Sequence, residues 1–286
     1  MDHSEATRGK SRVVKAGGRD IHLSEFGQGH PLLMLHGGGP GANGLSNYTR
    51  NIEVLAKDFR VLVPDMPGYG KSAKRVDPAD PFGDLAAAML ALLDTLGIER
   101  AHVAGNSLGG ACALRMALER PERVSALVLM GPGGIGVTRE PPTDGLKLLL
   151  GYYAGEGPTR EKLASFIRDY LVADGAAVPE SLIEERYAAS LDPEIMAAPP
   201  LRRPAKPEDL VPLDLTLDPR LAACKIPSLV LWGSADKVNR ASGGLTLQQT
   251  MGHCDLYLFS GTGHWVQWER PDEFNAATAA FLRRHV

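Results

Sequence analysis

Short apolar runs bounded by Gly, Pro or Asp recur along most of the chain: Leu32–Leu35, Val61–Val63, His102–Ala104, Ala126–Met130, Leu229–Leu231 and Leu256–Phe259. Runs this brief and this uniformly apolar read as strands buried on both faces. Ahead of them, Ser11–Lys15 and Asp20–Phe26 flank Gly17-Gly18, which predicts a hairpin turn. Between the runs the apolar positions change to helical spacing over Ser46–Lys57, Asp84–Leu96, Leu108–Glu119 and Asp272–Arg284. In the last of these, Phe274, Ala277, Thr278 and Phe281 recur at helical spacing. Strand alternating with helix predicts a mostly parallel sheet covered by helices on both faces, an α/β fold.

The alternation is interrupted once. From about Val137 to Leu217 no strand pattern occurs, only helical patterns at Leu146–Tyr153, Arg160–Val172 and Ser181–Ala189 and then a passage rich in proline from Pro199 to Pro212. The pattern predicts a core made of residues 13–136 and 218–286, a helical cap over 137–217, and a flexible terminus over 1–12. An insertion between two strands is well placed to roof a site, because ligands of open α/β sheets bind at the carboxyl ends of the strands.

Composition narrows the class. A chain of 286 residues is long enough for one sizeable core. With 44% hydrophobic and 23% charged residues and a formal charge of -3 it has no broad basic surface, which argues against nucleic acid as a partner. Cys112, Cys224 and Cys254 are scattered and odd in number, as in a reducing compartment. No apolar run reaches the roughly 18 residues of a membrane span, and Met1–Arg12 lacks the apolar stretch of a secretory signal. A cytoplasmic protein without a membrane partner is the expectation.

Gly105-Asn106-Ser107-Leu108-Gly109 follows one predicted strand and opens a helix. A G-x-S-x-G in that position is a nucleophile elbow, a tight turn that lifts a serine hydroxyl above the sheet with the helix N-terminus behind it. In any other context the same five residues are merely a Ser/Gly-rich turn. A serine needs a base to take its proton. His264, past the strand Leu256–Phe259, is the candidate, and Asp236, past Leu229–Leu231, is the candidate acid that orients it. A single histidine is more often structural, and a loop aspartate often only caps a turn; here both lie at strand ends in the order Ser, Asp, His. Asp65 also ends a strand but breaks that order. The loop His36-Gly37-Gly38-Gly39-Pro40-Gly41 follows Leu32–Leu35, where bare glycines let amides approach a developing oxyanion. The N–H groups of Gly38 and Leu108 are the expected donors, and His36 is expected to hold the loop. These readings together predict an α/β-hydrolase fold with Ser107, Asp236 and His264 as its triad.

Other readings compete. Gly39 to Gly44 matches G-x-G-x-x-G, with Asp65 at the end of the next strand, the outline of a dinucleotide site and so of an oxidoreductase. Pro40 removes one amide from that loop. A P-loop through Gly70-Lys71-Ser72 fails because its first glycine would fall on Asp65. Cys112 is expected to be packed in a helix, and no His, Cys and carboxylate set has metal spacing. An ester or lactone hydrolase, or a hydrolase-like binding protein, fits the same motifs.

Four segments carry a more specific resemblance: His36 to Ala42 with Ser46-Asn47-Tyr48 and Arg50-Asn51; Gly105 to Gly110; Leu129 to Gly134; and Gly263 to Glu269 with Asp272 to Asn275. With them the chain resembles the meta-cleavage product hydrolases, which cleave a C–C bond in 2-hydroxy-6-oxohexa-2,4-dienoates formed by opening of catechol rings. The resemblance implies that Asn51, Asn106 and Trp265 contact the dienoate, and that Arg186 in Glu185-Arg186-Tyr187 grips its carboxylate; without the family Arg186 reads as a solvated helix charge. It implies no metal or organic cofactor and a homodimer or homotetramer. Thr262, Arg240 and the proline-rich Ala198–Leu213 depart from the family pattern, which bears on the cap and the substrate.

Overall fold

The structure, a computed structural model, describes residues 9–286. Eight strands form one sheet: β1 (Lys10–Ala16), β2 (Arg19–Phe26), β3 (His30–Leu35), β4 (Phe59–Pro64), β5 (Ala101–Asn106), β6 (Val124–Met130), β7 (Ser228–Gly233) and β8 (Cys254–Phe259). Their order is β1-β2-β4-β3-β5-β6-β7-β8. The pairs β1/β2 and β2/β4 are antiparallel and the rest parallel. The predicted runs all lie within these strands. β1 begins before the boundary expected for the core, so Lys10, Ser11 and Arg12 belong to the sheet and not to a flexible terminus. Ser11 and Ser24 share a hydrogen bond of 2.8 Å, and Arg12 pairs with Glu25 at 3.6 Å.

The sheet order places the chemistry. β3 and β5 are far apart in sequence but adjacent in the sheet, with Leu35 paired to Gly105. The glycine-rich loop and the Gly105–Gly109 turn therefore leave the same sheet edge side by side, at a point where the strand order reverses. The loops after β6, β7 and β8 open along that same edge.

Helices cover both faces. α1 (Gly44–Asn47) and α2 (Ile52–Leu55) replace the single helix expected over Ser46–Lys57. The break has a local cause: Asn43 forms a capping box with Ser46, and Tyr48 leaves helical geometry as its hydroxyl donates to the Leu35 carbonyl at 2.7 Å. α3 (Pro81–Thr95) and α4 (Leu108–Glu119) pack on one face of the sheet, in a core with Leu33, Leu62, Val103 and Leu127. Between β6 and β7 the described residues contain helices and turns only: α5 (Asp144–Gly151), α6 (Arg160–Ser165) running into a π-helical turn (Phe166–Leu171), α7 (Glu180–Ser190), α8 (Pro193–Ala197) and α9 (Arg220–Ala223). The proline-rich passage ends in a 3-10 helix (Pro207–Leu213), and Asp214 directly after it accepts from the amides of Gly136 and Thr138, which binds the two ends of the insertion together. α10 (Ser242–Thr250), α11 (Val266–Glu269) and α12 (Pro271–Arg283) complete the chain, the last packing with Ile52 and Leu55 on the opposite face. Leu149, Leu163, Phe166 and Ile183 of the insertion pack with Val238, Trp265 and Trp268. The helical segment thus sits on the loops that follow β7 and β8.

Candidate active site

Ser107 is the turn between β5 and α4, with φ 54° and ψ -113°. Among the described residues it is the only non-glycine with positive φ, and a residue held in so sparsely populated a conformation costs about 1–3 kcal/mol. The turn is this tight because its flanks are bare. A Cβ on Gly105 would strike the Gly109 carbonyl, and one on Gly109 would strike that of Leu35. The Ser107 amide donates to Met130 at 2.8 Å and its carbonyl accepts from Gly133 at 3.0 Å, which fastens the strained residue to the end of β6.

Asp236 and His264 meet above the same edge, with Oδ2 2.7 Å from Nδ1. Asp236 also accepts from Trp232 Nε1 at 2.9 Å and from the amides of Val238 at 2.8 Å and Asn239 at 2.9 Å. A carboxylate so surrounded by donors fixes the proton of His264 on Nδ1 and leaves Nε2 with its lone pair. His264 Nε2 is buried and makes no hydrogen bond. Ser107 lines the same small cavity, but a Ser107–His264 hydrogen bond is not formed in this structure. Catalytic contacts of this kind commonly tighten only when substrate is bound.

The carbonyls of Gly37 to Pro40 in the glycine-rich loop are each held by a hydrogen bond. Met66 N–H donates to His36 Nε2 at 2.9 Å, so Nδ1 carries the proton and donates to the Gly37 carbonyl at 2.8 Å. The Gly38 carbonyl accepts from Tyr69 at 3.1 Å, that of Gly39 from Ala42 at 3.0 Å, and that of Pro40 from Arg186 Nε at 3.0 Å. In a trans peptide the N–H points opposite to the carbonyl, so holding the Gly37 carbonyl on His36 fixes the direction of the Gly38 amide. Leu108 is the first residue of α4, where an amide has no partner within the helix.

The cavity has a volume of about 20 Å³ and is bordered by Gly38, Asn47, Asn106, Ser107, Phe166, Arg186, His264 and Trp265, among others. That is room for roughly one water. A cleft of about 730 Å³ adjoins it, sharing Gly38, Ala42 and Leu149, and runs between the glycine-rich loop and the helical segment. A ligand of drug-like size fits the larger space and not the smaller.

Arg186 comes from α7 and is 5% exposed. Its Nε is held by Pro40, and its backbone packs so closely on Gly41 that a Cβ there would strike the Arg186 carbonyl. Burial pushes its pKa down to about 10, with only the phenols of Tyr153, Tyr152 and Tyr69 opposing. It remains a cation at neutral pH, and no carboxylate pairs with it among the described residues. Trp265 stacks on Trp268 at 5.3 Å, with Arg186 5.8 Å from the Trp265 ring. Trp265 Nε1 is buried without a partner. Asn106 donates to the Met130 carbonyl at 3.2 Å and lines the cavity.

Asn51 does not belong to this group. Its Nδ2 donates to Gln267 O and to Asn275 Oδ1, both at 3.0 Å, so it ties the start of α2 to α11 and α12 and is not among the residues bordering the cavity. Asn47, one helical turn earlier, is the asparagine that reaches it. Its Oδ1 accepts from Gly37 at 3.4 Å and its Nδ2 is buried without a partner. The signal was present in Ser46-Asn47-Tyr48, but only the break between α1 and α2 separates the two directions. Asp65, the rival acid, accepts from His22, from Gly44 and from Lys71. Its carboxylate is thereby engaged within the fold and is not free to hold a ribose, and Gly41 is packed against Arg186, which argues against the dinucleotide reading of the Gly39–Gly44 loop. Cys112 is fully buried, and burial pushes its thiol pKa up. Among the described residues no three His, Cys, Asp or Glu side chains are grouped to hold a metal.

The α/β-hydrolase fold model matches residues 30–155. A 2-hydroxy-6-oxo-6-phenylhexa-2,4-dienoate hydrolase of Comamonas testosteroni is 40% identical, over 98% of this chain and 99% of the relative. The chain belongs to the meta-cleavage product hydrolases. A second relative from the same species, a 2-hydroxy-6-oxononadienedioate/2-hydroxy-6-oxononatrienedioate hydrolase, is 39% identical over 92% of this chain and 91% of its own length. Among solved structures, the meta-cleavage product hydrolase of Pseudomonas fluorescens IP01 superposes with a TM-score of 0.85 at 28% identity, covering 96% of this chain and 97% of that one. The phenyl-bearing and the dicarboxylate relatives are close to equally similar, so family membership alone leaves the acyl group open.

Proposed function

We propose that this hydrolase cleaves the C5–C6 bond of a 2-hydroxy-6-oxohexa-2,4-dienoate, giving 2-hydroxypenta-2,4-dienoate and a carboxylic acid. The observation that carries the reading is Arg186, a buried guanidinium with no anionic partner among the described residues, on the same cavity as Ser107 and His264. A buried cation left without a counterion calls for an anionic ligand, and the carboxylate of the dienoate supplies one. Asn47, Asn106 and Trp265, with unpaired or cavity-facing polar atoms, are the proposed contacts to the rest of the dienoate. Residues 137–217 act as the cap.

The dienol first ketonises, moving its hydroxyl proton to C5. Ser107 Oγ then attacks the C6 carbonyl as its proton passes to His264 Nε2, and Asp236 stabilises the imidazolium. The Gly38 and Leu108 amides receive the oxyanion, each donor worth about 3–4 kcal/mol. Collapse breaks C5–C6, the electron pair moves through the diene to the C2 oxygen, which takes the proton from His264 as the dienol leaves, and the neutral His264 then activates water to release the acid from the acyl-serine. No step requires a metal or organic cofactor. Substrate enters through the large cleft and the cap shifts to admit it, because the space beside Ser107 is too small.

The test follows bleaching of the yellow 2-hydroxy-6-oxo-6-phenylhexa-2,4-dienoate alongside hydrolysis of a neutral aryl ester. Arg186→Ala is expected to lower kcat/KM for the dienoate by about 10- to 150-fold, the value of a hydrogen-bonded charge, and for the ester far less. Because both substrates meet the same variant, loss of the Pro40 contact cancels in the comparison. Equal losses would remove Arg186 from the carboxylate site, and ester cleavage without bleaching by the wild type would make the protein an esterase.

A cytoplasmic setting accompanies this reading, supported by three cysteines that are all free thiols; no helix of the described residues is long and apolar enough to cross a membrane. Assembly as a homodimer or homotetramer is part of the same proposal, supported by the exposed Tyr257 and Leu258 on edge strand β8. A single-chain mass by light scattering would refute the assembly.

A further inference from the structure

Glu269 ends α11, less than two turns beyond His264, and both its oxygens are used. Oε1 accepts from the Gly263 amide at 2.9 Å and Oε2 from the Ala173 amide at 2.8 Å. Gly263 precedes His264, whereas Ala173 lies in the helical insertion just past the π-helical turn. The two segments meet at further points. The Leu171 carbonyl accepts from the amides of both His264, at 2.9 Å, and Trp265, at 3.2 Å. Gly263 lies so close to the insertion that a Cβ on it would be 2.7 Å from Ala173 N and 2.8 Å from the Val172 carbonyl carbon. No cation pairs with Glu269 among the described residues. Its two contacts are N–H donors from different parts of the fold, so only a group offering two acceptors satisfies both.

We propose that Glu269 is a positioning residue, whose carboxylate clasps the His264 loop to the insertion and thereby sets the imidazole relative to Ser107. The proposal rests on His264 being the base of the reaction above. It predicts a particular kind of loss: an imidazole displaced by about 1 Å slows the chemical step by up to roughly 100-fold while the groups that hold substrate stay in place. Glu269→Gln tests it, because glutamine keeps the shape but offers one acceptor and turns an NH₂ against the second N–H.

Expected for E269Q is a fall in kcat of about 10- to 100-fold with KM within about threefold of wild type, and a changed emission from the stacked Trp265 and Trp268 beside the clasp. Glu269→Asp, which keeps both acceptors on a shorter arm, should recover part of the kcat. A folded E269Q with wild-type kcat, or one whose loss lies wholly in KM, overturns the proposal. Should E269Q not fold, E269D is judged by the same two criteria. Measuring both the phenyl dienoate and a neutral aryl ester separates the failures. If the wild type leaves the dienoate intact, the C–C reading falls. The ester still reports whether Glu269 sets the serine–histidine chemistry.

Discussion

At the scale of single residues, the site combines strain with unpaired polar atoms. Ser107 is held at φ 54° by the β5–α4 turn, and His264 Nε2, Trp265 Nε1 and Asn47 Nδ2 are buried without partners. Each such atom costs stability in the free protein and is recovered only when a ligand or reacting group meets it. The trade is measurable at Ser107. Ser107→Gly should raise stability by about 1 kcal/mol, because glycine adopts positive φ freely, while turnover drops by about 10⁴-fold or more. Ser107→Ala should lose turnover equally, keep substrate binding and gain no stability. Chemical denaturation beside single-turnover kinetics checks both; residual turnover within tenfold of wild type would remove Ser107 as nucleophile.

At the scale of elements, close backbone packing decides where the site lies. α4 approaches β3 so nearly that Gly109 has no room for a methyl group, its Cβ position blocked by Leu35 and by the His36 carbonyl at 2.7 Å. Gly109→Ala should therefore force α4 outward and cost about 1–3 kcal/mol, lowering the unfolding temperature by roughly 3–10 °C. Gly252, whose Cβ would meet nothing within 4 Å, is the control. Gly252→Ala should leave the melting curve nearly unchanged, and a melting temperature for G109A equal to that of G252A would contradict the packing argument. The insertion is likewise joined to the core by close contacts, Arg186 to Pro40 and Gly41 and Leu171 to His264 and Trp265, while Asp214 ties its two ends together at Gly136 and Thr138. These contacts place the glycine-rich loop and the His264 loop against one roof.

At the scale of the whole molecule, the sheet carries an acid-sensitive point far from the chemistry. His102 in β5 is fully buried with neither ring nitrogen hydrogen-bonded. Burial is the main cause that drives its pKa down to about 3, with His30, His285 and Arg100 adding to it. The unfolded chain binds this proton near pH 6.5 and the native protein does not. The contribution of a neutral His102 to stability is therefore complete above about pH 6.5 and falls as the pH drops from there towards 3, because the unfolded state takes up the extra proton. His102→Phe, which keeps a ring beside His30 at 4.2 Å, should flatten the decline of melting temperature between pH 7 and pH 4.5. An unchanged slope would mean that other groups govern acid unfolding.

The strands, the elbow, the order Ser107, Asp236, His264 and the existence of a helical insertion were legible in the sequence, because periodicity and glycine spacing are local properties of a chain. Asn47 and Asn51 were not told apart, since both stand in one polar stretch and only a break between two short helices points one at the cavity and the other at α12. Glu269 stayed silent for the same reason: its partners Gly263 and Ala173 are brought together by the fold. Local sequence determines which backbone each segment prefers and which chemical groups it carries. Which polar atom is left unpaired beside which other is decided by distant segments packing, and only the tertiary structure contains that.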